Sequence, residues 1–108
     1  MDILVAPLIK TLKENDPANN LIDVERAYDV AKLAHVGQMR KSGEEYITHP
    51  VAVSQILAEL GLNDVTIIAS LLHDTIEDTP YSLAQLRLDF GDEIANLVDG
   101  VTKLDKLT

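Results

Sequence analysis

A chain of 108 residues, 46% hydrophobic and 25% charged, is long enough for one domain around a shared core and has the composition of a globular protein, which excludes a disordered one. Its net charge of −9 excludes non-specific binding to nucleic acid or anionic membrane, so an anionic ligand needs a local reversal of sign. Cysteine is absent, which rules out disulfides and thiolate metal sites and fits a cytoplasmic protein.

The N-terminal stretch has no basic region before its apolar run, and Lys10 and Lys13 interrupt it, so it reads as neither a signal peptide nor a membrane span. Leu4, Val5, Leu8, Ile9 and Leu12 instead predict the apolar stripe of a first helix, which stops in the turn formers from Asn15 to Asn20. A second helix shows Val24, Ala27, Tyr28, Ala31, Ala34 and His35 on one face, with Asp23 near its start and Gly37 just past its end. His35, alone on an apolar face, reads as a core histidine with one hydrogen bond.

Periodicity lapses from Gln38 to Thr48, which predicts a loop. This loop holds the only adjacent basic pair in the chain, Arg40 and Lys41. A guanidinium fork beside a point charge is how proteins hold phosphate, although on spacing alone the segment reads as a solvated loop. Thr48, His49 and Pro50 open a third helix, with Val53, Ile56, Leu57 and Leu60 on its buried face and Gly61 at its end. His49 taken by itself reads as a helix cap.

The fourth helix begins near Asn63 or Asp64 and buries Val65, Ile68, Ala69 and Leu72 before Pro80 stops it. Its last turns carry His73, Asp74, Glu77 and Asp78, one imidazole and three carboxylates within six residues. His73 and Glu77 share a face, as do Asp74 and Asp78, while His73 and Asp74 can converge on one ion only at a slant. The set suits manganese, iron or zinc without choosing among them. Acids at a helix C-terminus oppose the macrodipole, and a bound cation would offset that cost. Ser82 and Gln85 predict a capping-box start for a fifth helix closed by Gly91. A sixth begins near Asp92, with Ile94, Leu97, Val98, Val101 and Leu104 on one face; Gly100 inside it points to a kink or close packing. The fold class is therefore all-α, a bundle of about six helices with short connections.

In order along the chain, Ala34-His35-Val36-Gly37-Gln38, Arg40-Lys41-Ser42-Gly43, Tyr46-Ile47-Thr48-His49-Pro50, Leu71 to Thr79, Phe90-Gly91-Asp92-Glu93 and Asp99 to Leu104 resemble the N-terminal hydrolase domain of the RelA/SpoT family. The resemblance is dense from about Tyr28 to Leu104. It implies an HD-type helical hydrolase that removes the 3′-pyrophosphate of the alarmone (p)ppGpp with one manganese ion, returning GDP or GTP. His49, His73 and Asp74 would be metal ligands, and Glu77 with Asp78 would position or deprotonate the attacking water. Arg40, Lys41 and Ser42 would lie along the guanine nucleotide.

The family's fourth metal ligand is an aspartate downstream of Thr108, as are a nucleotide-contacting asparagine and the synthetase domain; Asp99 and Asp105 match neither. Residues 1–108 are thus expected to be a partial HD domain, truncated at its C-terminus, whose uncovered apolar face favours a homo-oligomer. The alternative from another class is a non-catalytic HD module for oligomerisation or nucleotide sensing. A phosphohydrolase acting on another nucleotide is a third, weakened by the Arg40-Lys41-Ser42-Gly43 loop.

Overall fold

Helices form wherever apolar residues recur at the helical period. The chain is seen in a computed structural model that describes residues 2–106, with side chains described for residues 2–104, so Met1 and the side chain of Asp105 lie outside the described residues. In order they are α1 (Ala6–Asn15), α2 (Leu21–Ala34), α3 (Thr48–Glu59), α4 (Asp64–Asp78), α5 (Leu83–Phe90) and α6 (Asp92–Lys106). Among the described residues there is no strand, only an isolated antiparallel bridge between Met39 and Glu45. Among the described residues, no helix is long and apolar enough to cross a membrane.

α4 is the central element. It packs against α2, α3 and α6, while α1 covers α2 and α3, and α5 lies on α6. That position follows from its sequence: Ile67, Ile68, Leu71, Leu72 and Thr75 are all buried, which takes more than one face of the helix. Burying each of the larger aliphatic side chains stabilises the fold by about 1.5–3 kcal/mol. The start of α4 is tied down from outside as well. Asp64 accepts from the Asn20 backbone at 2.6 Å and its own N–H donates to Asn19 Oδ1 at 3.1 Å, so the polar turn between α1 and α2 brackets the α4 N-terminus.

Three local expectations are refined. α1 starts at Ala6, two residues after the apolar stripe begins, because Pro7 belongs in a first helical turn; Asp2 to Val5 form a turn ahead of it. Ser82 caps α5 by accepting from Gln85 N at 3.0 Å, but the Gln85 side chain donates to Asp89 Oδ1 instead of returning to Ser82, so only half of the capping box forms. Gly100 lies in an uninterrupted α6, and a Cβ there would meet nothing within 4 Å, so close packing does not explain it. Gly91, by contrast, has φ of 95°, which lets α6 follow α5 with this single residue between them.

All three tyrosines of the chain donate their hydroxyl to an aspartate. Tyr28 reaches Asp2 at 2.6 Å and Tyr81 reaches Asp89 at 2.6 Å. Burial first, then the neighbouring carboxylate, pushes both phenols above their usual range. A phenol whose folded pKa is raised contributes stability that is complete below the unfolded value of about 10 and is lost progressively as the pH climbs from there through the higher folded value. Far-UV circular dichroism and phenolate absorbance, followed together, should therefore change in step above about pH 10; phenolate forming fully in a still-helical protein would contradict this.

Candidate metal centre

The last turns of α4 point two ways. Leu71, Leu72 and Thr75 go into the core, and His73, Asp74 and Glu77 come out beside one another, their side chains 21%, 25% and 33% exposed. About two thirds or more of each side chain is covered, so the helix and its neighbours hold all three. Thr79 ends the helix: its N–H donates to Thr75 O at 3.2 Å and its hydroxyl to the same carbonyl at 2.7 Å, before Pro80 prevents continuation. No basic residue stands in that last turn, so α4 itself supplies nothing to offset its acids.

His73 lies close to both carboxylates. His73 Nδ1 lies 3.4 Å from Asp74 Oδ1, and His73 Nε2 lies 4.0 Å from Glu77 Oε1. One ligand atom from each of His73, Asp74 and Glu77 falls within 4.8 Å of the others, and among the described residues this is the group able to hold a metal ion. An imidazole with two carboxylates fits a divalent cation such as manganese, iron or zinc.

His49 is placed opposite. It is the second residue of α3 and, with His73 and Asp74, it lines a cavity of about 320 Å³ whose other walls include Leu57, Ser70 and Val101. It does not belong to the three-ligand group. Nor is it a cap, since α3 has no side-chain cap and Ile47 occupies that position. Pro50 follows at the third helical position, where its missing N–H leaves no hydrogen bond unmade.

The loop between α2 and α3 is a small folded unit. Arg40 N donates to Glu44 O at 2.8 Å, Gly43 N to Arg40 O at 2.9 Å and Tyr46 N to Gln38 O at 3.0 Å, with Gly43 at φ of 89° making the reversal. Arg40, Lys41 and Ser42 are exposed at its tip and line a separate, shallow cavity of about 460 Å³, together with Glu44 and Tyr46. The expected phosphate-binding residues and the expected metal ligands therefore line two cavities. Asp78, the other expected catalytic carboxylate, is exposed at the end of α4 and outside the ligand group, and its carbonyl accepts from Gln38 Nε2 of the loop at 3.2 Å.

Two residues join these parts, and pattern reading assigned a role at the site to neither. Tyr46 lines the loop cavity while its hydroxyl donates to Asp74 Oδ2 at 2.9 Å; burial and then Asp74 push its pKa up to about 12. His35 is buried, as its place on the apolar face of α2 implies, but with two hydrogen-bonding partners instead of one: Nδ1 meets Gln38 Oε1 at 3.0 Å and Nε2 meets Thr75 Oγ1 at 3.2 Å. The Tyr46 ring stacks on it at 4.6 Å.

A family model described as the HD domain matches residues 27–108. A GTP pyrophosphokinase of Streptomyces coelicolor is 56% identical over 107 residues, covering 96% of this chain and 13% of that protein. A guanosine-3′,5′-bis(diphosphate) 3′-pyrophosphohydrolase of Haemophilus influenzae is 59% identical over 78 residues, covering 72% of this chain and 12% of the relative. The bifunctional (p)ppGpp synthase/hydrolase SpoT of Escherichia coli is 54% identical over 91 residues, 84% of this chain and 13% of that protein. The chain thus spans about an eighth of the length of the curated relatives it matches.

Proposed function

The chain belongs to the HD domain family, and on that premise we propose that it is the metal-dependent hydrolase domain that removes the 3′-pyrophosphate of (p)ppGpp. The observation that carries the reading is the proximity of His73, Asp74 and Glu77, the first two of which line a cavity with His49. The names of the Haemophilus and Escherichia relatives support the substrate class. The RelA/SpoT resemblance supports manganese as the ion and the cytoplasm as the place.

In this reading His49, His73 and Asp74 hold the ion. When bound, a dication lowers the pKa of water and draws charge from a phosphoryl oxygen. Arg40, Lys41 and Ser42 lie along the nucleotide, the guanidinium and ammonium supplying the local positive charge that the chain as a whole lacks. Glu77 and Asp78 orient a water and accept its proton. The water oxygen bonds to phosphorus, the 3′ O–P bond breaks, and the ribose 3′ oxygen takes up the proton that the carboxylate removed from water and leaves as a hydroxyl, giving pyrophosphate with GDP from ppGpp or GTP from pppGpp.

The test is pyrophosphate release from ppGpp with manganese, measured in this chain and in a longer one continuing past Thr108 through the family's fourth ligand. The longer chain is expected to release pyrophosphate and GDP, to stop on chelation and to resume on manganese addition. Turnover that ignores the chelator, or release of single phosphates from the 5′ side, would replace this reading.

A further inference from the structure

The two cavities meet at one side chain. We propose that Tyr46 is a positioning residue for the cation site: its hydroxyl holds Oδ2 of Asp74 so that Oδ1, the oxygen on the His73 side, is turned toward the ion. The inference rests on the reading of His73 and Asp74 as metal ligands.

Tyr46 is fixed on three sides before it reaches Asp74. Its N–H donates to Gln38 O, which ties it to the base of the loop. Its carbonyl accepts from His49 N at 3.0 Å, so the same residue seats the first turn of the helix that brings His49 to the cavity. Its ring lies on the buried His35, at 4.6 Å and tilted by 33°, and His35 is itself bonded to Thr75, the residue after Asp74. The hydroxyl therefore has little freedom in where it points, and the residue that orients one expected ligand also anchors the backbone of another.

A carboxylate at a helix surface has two equivalent oxygens and a rotor between them. Holding one oxygen removes that choice, and partners of this kind typically alter metal affinity about 10- to 100-fold when deleted. The same arrangement connects the basic loop to the cation site, because any displacement of Arg40 to Ser42 that moves Gln38 and Tyr46 also moves the hydroxyl on Asp74.

The experiment is calorimetric titration of manganese into the whole chain and into Tyr46→Phe, Tyr28→Phe and His73→Ala variants, with melting curves of each in the absence of metal. Tyr46→Phe keeps the ring on His35 and deletes only the hydroxyl. It is expected to bind manganese about 10- to 100-fold more weakly than the unaltered chain while melting at the same temperature without metal. Tyr28→Phe, the same deletion at a tyrosine–aspartate pair outside the site, should bind as the unaltered chain does. Wild-type affinity in Tyr46→Phe, with binding lost in His73→Ala, overturns the role of Tyr46 and leaves the metal centre standing. A clear drop in the metal-free melting temperature of Tyr46→Phe also overturns it, since the hydroxyl would then be a brace of the fold. Absence of manganese binding by the unaltered chain removes the metal centre and the inference together.

Discussion

His73→Ala is expected to remove manganese binding, an effect of at least 100-fold on affinity, while leaving the metal-free fold intact. His73 is the shared member of both short approaches in the ligand group, 3.4 Å to Asp74 and 4.0 Å to Glu77, so its loss leaves two carboxylates with no nitrogen donor between them. The core does not depend on it: Leu72 and Thr75, its buried neighbours on α4, keep their places. The readout is thermal. At a free ion concentration 100 times the dissociation constant, binding adds about 2.7 kcal/mol to stability. Manganese should therefore raise the melting temperature of the unaltered chain and leave that of the variant where it was. The rise should weaken on acidification, because binding must displace protons from its ligands. An equal manganese-induced rise in both proteins would place the ion elsewhere.

The second large effect is expected from changing Glu77→Gln and Asp78→Asn together. Both carboxylates sit in the last turn of α4, where the macrodipole makes negative charge unfavourable by about 0.3–1 kcal/mol each. Neutral, nearly isosteric replacements should leave thermal stability unchanged or slightly raised. Hydrolysis should fall about 10²- to 10⁴-fold, the usual cost of losing a positioned general base. The assay is pyrophosphate release from ppGpp in the longer chain. Full activity in the double variant would remove both residues from the chemistry, and unfolding would make them structural. Since Glu77 lies within the ligand group and Asp78 outside it, manganese calorimetry on Glu77→Gln alone separates a ligand from a base.

The helices were legible because apolar residues recur at the helical period, but on α3 the period gave the wrong face: Val53, Ile56 and Leu60 are exposed, and Pro50, Val51, Ser54 and Ala58 are the residues it buries. The six elements and most of their ends follow from apolar spacing, from Ser82 as a cap, and from Gly91 and Pro80 as stops. The α4 cluster was legible for the same reason: residues within one turn of a helix have only one way to be arranged. What spacing could not give is contact between elements. Nothing local relates Tyr46 to Asp74, 28 residues on, or His35 to Thr75, 40 residues on. Tyr46 also stands where periodicity lapses, so it had no face to be assigned to. His49 was read alone as a cap, and only the packing of α3 against α4 brings it to the cavity.

The entry into α3 has a consequence for how this chain can change in length. Thr48 N, His49 N and Val51 N donate in turn to the carbonyls of Glu45, Tyr46 and Ile47, so no slack separates the loop from the helix. One residue inserted between Tyr46 and His49 would turn α3 by about 100° relative to the loop and carry His49 off the cavity wall. Inserted at the exposed tip between Lys41 and Gly43, the same residue would lengthen a turn and disturb neither anchor. At the tip, spacing is therefore held not by the fold beneath it but by whatever Arg40, Lys41 and Ser42 bind, whereas at the entry to α3 it is held by the backbone itself.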